Sequence, residues 1–66
     1  MIEVFSTYDP GEIALIKSIL DAEEINYFFQ GENINLLIAA GSRPRLLVDE
    51  KDAERVRDIL QELEFL

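Results

Sequence analysis

The chain has 66 residues, 48% of them hydrophobic, and fourteen Asp and Glu against six Lys and Arg give a formal net charge of -8 at pH 7. It contains no Cys and no His, which removes disulfides, thiol nucleophiles, imidazole bases and the commonest zinc and copper ligands. A charge of that sign repels phosphate backbones and anionic lipid, so neither nucleic acid nor a membrane surface is an expected partner.

So short a chain buries only about 60% of the surface its unfolded form exposes. One domain spanning residues 1–66 is therefore expected, and association with a partner would help to stabilise it. Residues 1–10 lack the basic start and apolar run of a signal peptide, and the longest apolar run, residues 36–40, is too short to cross a bilayer. The expected location is the cytoplasm.

In chain order, Met1–Thr7 alternates as a strand, with Ile2 and Val4 on one face and Glu3, Phe5 and Thr7 on the other. A helix follows: Asp9 suits the N-cap, Pro10 the first helical position, and Glu12 the carboxylate that reaches back in a capping box. Ile13, Leu15, Ile16, Ile19, Leu20 and Ala22 make its apolar half, and Lys17, Ser18, Asp21 and Glu24 its wet one. The hydroxyls of Ser6, Thr7 and Tyr8 read as the chemistry of a strand handing over to a cap.

After about Glu24, residues 25–30 form an aromatic second strand in which Ile25, Tyr27 and Phe29 oppose Asn26 and Phe28, and Gly31 breaks it. Residues 44–49 form a third strand, Leu46 and Val48 facing one way and Arg45, Leu47 and Asp49 the other. Asp49 can cap a second helix, 50–63, whose stripe is Ala53, Val56, Ile59, Leu60 and Leu63. Its alternating charges read as a solvated face; with no calcium-loop spacing, no metal site and no cofactor are expected.

Strand, helix, strand, strand, helix is an α+β order. Two helices on one face of a three-stranded, mostly antiparallel sheet bury both stripes, a ferredoxin-like βαββα sandwich whose fourth strand is missing or vestigial. The first strand then lies at an exposed edge.

Residues 4–20, Val-Phe-Ser-Thr-Tyr-Asp-Pro-Gly-Glu-Ile-Ala-Leu-Ile-Lys-Ser-Ile-Leu, with Gly-Glu-Asn at 31–33 and Arg-Leu-Leu-Val-Asp-Glu-Lys-Asp-Ala-Glu-Arg-Val at 45–56, resemble a prokaryotic family of short domains described as signal-transducing proteins, whose function is not established. The resemblance covers nearly the whole chain and implies a PII-like, ferredoxin-like fold. In PII regulators the segment between the second and third strands is a long contact loop. The equivalent stretch here, 31–44, lacks the extended form and the nucleotide-binding residues, so the resemblance implies a contact loop and no ligand set.

Three surfaces are candidates for function. The 31–44 connection carries Ile34, Leu36, Leu37 and Ile38 where loops are usually polar; it reads either as a short helix on the domain's own core or as a partner contact. Arg43 and Arg45 could hold a small anion, or pair with nearby carboxylates. The sheet face away from the helices is expected to carry Phe5, Leu47 and one of Phe28 or Phe29, a surface that a second subunit or another protein would cover.

These features read as a non-enzymatic binding module that acts on a protein partner, a second copy of the chain in a homodimer among the candidates. A small-anion sensor using Arg43 and Arg45 is the alternative, and a carboxylate-based enzyme the remaining one.

Overall fold

A computed structural model describes residues 1–31 and 43–66 of the chain. In order these form β1 (Ile2–Ser6), α1 (Pro10–Ala22), β2 (Tyr27–Gln30), β3 (Arg45–Val48) and α2 (Glu50–Glu62). The strands make one sheet in the order β1-β3-β2, with β3 antiparallel to both neighbours. The first crossover thus leaves a strand's width between β1 and β2, and β3 fills it. This is the ferredoxin-like βαββα arrangement that the order of apolar stripes predicts.

Local chemistry sets the helix starts. Asp9 is extended, and its Oδ1 accepts from the N–H groups of Gly11 at 2.8 Å and Glu12 at 3.4 Å, with Pro10 at the first helical position. The back-reach of Glu12 runs through an intermediary. The Asp9 N–H donates to the Thr7 hydroxyl at 3.1 Å, and that hydroxyl donates to Glu12 Oε1 at 2.5 Å. Thr7, only 8% exposed, is the buried polar residue among those described, and this relay satisfies it.

At α2, Asp49 occupies the N-cap position with an extended backbone, yet its side chain makes no capping bond. Its carbonyl accepts from the Asp52 N–H at 2.9 Å instead. The first turn relies on Glu50 and Asp52 beside the positive end of the helix dipole.

Both helices end the same way. After Leu20 the chain places Glu24 in the left-handed region (φ 57°), the Ile25 N–H donates to the Leu20 carbonyl at 3.0 Å, and the Glu24 N–H to Asp21 at 3.1 Å. After Leu60, Glu64 takes φ 63°, the Phe65 N–H donates to Leu60 at 2.9 Å, and the Glu64 N–H to Gln61 at 3.0 Å. These are Schellman endings, which fold the following apolar residue back against the last turn. Ile25 is accordingly buried, so β2 begins at Tyr27, two residues later than alternation suggests; Phe65 packs on the core.

The register sorts the side chains into rows. On the helix side Ile2, Val48 and Tyr27 lie in one row, and Phe5, Leu46 and Phe29 in the next. Leu46, Val48 and Val56 are 0% exposed, Ile16, Leu20 and Leu60 1%, and Ile13, Ile25, Phe29 and Ala53 complete the buried cluster. Leu15, 46% exposed, and Ala22, also exposed, lie outside the stripe, so α1 buries a narrower arc than its composition implies.

One expectation is overturned. Between Glu3 and Phe5 the β1–β3 register shifts by a residue, a bulge in which Val4 and Phe5 together oppose Leu46. Phe5 therefore turns to the helix side, half-buried, and stacks on Phe65 with ring centroids 5.7 Å apart. It is not on the open face.

A non-glycine residue in the left-handed region costs on the order of 1 kcal/mol, of which glycine's greater unfolded-state freedom returns a part. Glu24→Gly and Glu64→Gly are each expected to stabilise the fold by about 0.5 kcal/mol. Urea unfolding checks this: the midpoint should rise with an unchanged slope. A fall in midpoint for both would contradict the assigned helix endings.

Candidate functional site

The open face of the sheet is built from two cross-strand rows. Glu3, Leu47 and Phe28 form the first, and Ser6, Arg45 and Gln30 the second, each row crossing β1, β3 and β2 in register. No described element lies over them. Phe28 is 54% exposed and Leu47 half-buried, so the apolar patch is real but smaller than the sequence suggests, since Phe5 and Phe29 both belong to the core.

Arg45 holds the face together. Its guanidinium donates to Gln30 Oε1 on β2 at 2.7 Å and lies 3.6 Å from Glu3 Oε1 on β1, so the central strand bonds its side chain to both neighbours. The Arg45 and Glu3 side chains are 49% and 46% exposed, and a pair so wet contributes well under about 1 kcal/mol. Its effect is on orientation, holding a cation between a carboxylate and an amide at the centre of the sheet.

Arg43 is not beside it in function. Its guanidinium carbon lies 5.1 Å from the centre of the Tyr8 ring, a cation–π contact at the turn into α1. The two arginines thus engage separate groups, and their geometry does not converge on a shared anion. Ile34, Leu36, Leu37 and Ile38 fall outside the described residues.

Glu3, Ser6 and Gln30 belong to this surface and were not singled out by sequence reasoning. Alternation places Glu3 and Gln30 opposite core residues, but it sets Ser6 on the helix side with Ile2 and Val4; the bulge turns Ser6 outward, and only the register with β3 reveals that all three flank Leu47 and Arg45. The remaining exposed hydrophobics, Met1, Tyr8, Leu15 and Leu66, lie on separate elements or ends. Singly, such residues are ordinary surface.

Among the described residues, no group of three or more acidic side chains is placed to hold a metal ion, and no helix is long and apolar enough to cross a membrane. A family model described as "Putative prokaryotic signal transducing protein" matches residues 1–64. No curated protein and no solved structure matches the chain.

The two phenylalanines of the opposite faces should respond differently to a charge. Phe5→Glu removes a core aromatic and is expected to cost on the order of 3 kcal/mol, much of the stability of a domain this small. Phe28→Glu should change stability by less than about 1 kcal/mol. Urea unfolding of both variants decides the assignment, and equal losses would contradict the bulge.

Proposed function

The chain belongs to that prokaryotic family of signal transducing proteins, and from that premise we propose that it is a one-domain, cytoplasmic, non-enzymatic module that acts by protein contact through its open sheet face. The observation that supports this reading is the exposed Phe28 beside Leu47, in a row that no described element covers. An aromatic and an aliphatic side chain flanked by Glu3, Arg45 and Gln30 have the composition of a small interface: an apolar centre with a polar rim.

Binding suits these residues better than catalysis. The polar groups of the face are bonded to one another across strands, which fixes their positions, and none is set against a nucleophile or a second carboxylate. Anion sensing, the alternative that the arginines suggest, is less well supported because Arg45 already has Gln30 and Glu3 as partners and Arg43 sits over Tyr8. The 31–44 connection remains a second proposed contact, through Ile34, Leu36, Leu37 and Ile38.

A photo-crosslinking side chain in place of Phe28, compared in growing cells with the same group in place of the exposed Ser18 on α1, tests the reading. Discrete protein adducts from position 28 and none from position 18 are expected. An absence of adducts at 28, with the protein folded and present, would overturn it.

A further inference from the structure

Charge is divided between the two layers of the fold. The helices with their caps and endings, residues 9–24 and 49–64, hold twelve carboxylates against four cations, so they account for the whole net charge of -8. Among the residues of the three strands only Glu3 and Arg45 are charged, and they balance. One side of the sandwich is strongly acidic and the other neutral.

We propose that the occupant of the open sheet face is a second copy of this chain, packed face to face about a two-fold axis. The inference rests on the reading of that face as a contact surface and names its partner. Any approach that brings helix layers together sets like charges against each other, whereas sheet-to-sheet contact turns them outward. Stacked sheets lie about 10 Å apart, and each acidic layer lies farther out still. The separation exceeds the screening length of about 8 Å at physiological salt, so the repulsion is largely removed.

The rows are complementary under such an axis. With the two-fold lying between the sheets, perpendicular to the strands at the level of Leu46, the row Glu3, Leu47, Phe28 of one copy faces the row Ser6, Arg45, Gln30 of the other. Each Arg45 then comes over the partner copy's Leu47 and within side-chain reach of that copy's Glu3. The pairing that each chain makes internally at 3.6 Å is repeated between chains, twice over, as an isologous contact requires. Rows placed like on like would instead oppose glutamate to glutamate or arginine to arginine.

Three strands of four or five residues offer a face roughly 15 Å on a side, well below the area of a standard specific interface. The association is therefore weak and reversible, with a dissociation constant on the order of 0.1 mM.

Sedimentation equilibrium of the whole chain up to about 1 mM, well above that constant, is the test. Wild type should dimerise reversibly at physiological salt, where the repulsion between acidic layers is already screened, and salt added beyond that should weaken the dimer. Arg45→Glu alone and Glu3→Arg alone should each weaken it at least about tenfold, while an equimolar mixture of the two variants should recover it, because both inter-chain pairs are then opposite in charge.

That recovery in trans cannot come from intramolecular effects, since each variant carries like charges within its own sheet. Circular dichroism confirms folding, and Phe28→Glu, which changes a half-exposed residue, should also abolish the dimer. A monomer at all concentrations overturns the inference, as does a dimer that salt strengthens or that ignores positions 3 and 45. If position 28 nevertheless crosslinks to a different polypeptide, the contact surface stands and only its occupant is wrong.

Discussion

Two residues in the central strand of the sheet constrain everything else. Leu46 and Val48 have no exposure at all, which is possible only because β3 has a strand on each side and two helices over one face. Covering that face takes the apolar stripes of α1 and α2 whole: Ile13, Ile16 and Leu20 from one, Ala53, Val56 and Leu60 from the other. The described elements include no third apolar layer, and none of them covers the opposite face of the sheet. The functional question follows from an economy of the core, since a chain of 66 residues supplies little surface to bury.

The bulge at Val4 decides how that free face is composed. A regular β1 would place Phe5 opposite Arg45 and diagonal to Leu47 on the open face, making an apolar surface of three large side chains. The extra residue turns Phe5 inward, where the ending of α2 delivers Phe65 to stack on it, and the two ends of the fold become one packed unit. The same bulge interrupts β1, an edge strand, and a twisted, interrupted edge is a poor template for adding a further strand. On the flat of the sheet, by contrast, two apolar side chains sit among bonded polar ones.

What could be read from the sequence was local. Asp9 and Pro10 announce α1, period-3.6 stripes identify the cores of both helices, and alternation separates Phe28 from Tyr27 and Phe29, all within a few residues of chain. The order of elements then leaves little choice of fold. The bulge was illegible because it is defined against Leu46, more than forty residues downstream. The partners of Arg45 were hidden for the same reason: Gln30 and Glu3 become its neighbours only through register. The helix endings lacked their usual mark, because Glu24 and Glu64 stand where glycine is commonest. The spacing of Leu20 to Ile25 and of Leu60 to Phe65, five residues each, was the signal available, and it specifies the ending through its hydrophobic contact.

The separation of charge is a consequence of the same layering. Helix surfaces are filled with Glu, Asp, Lys and Arg, which suit both solvent and helical backbone, and here the acidic members predominate; Arg55 of α2 reaches Glu23 at the end of α1 and offsets only part of the excess. A strand residue on the open face instead has cross-strand neighbours within contact, where like charges are unfavourable and opposite ones settle into pairs. Glu3, Arg45 and Gln30 obey that rule, and the sheet is neutral as a result. In the face-to-face dimer proposed above, the acidic helix layer keeps copies apart in other orientations, while the sheet face with its paired Glu3 and Arg45 admits one.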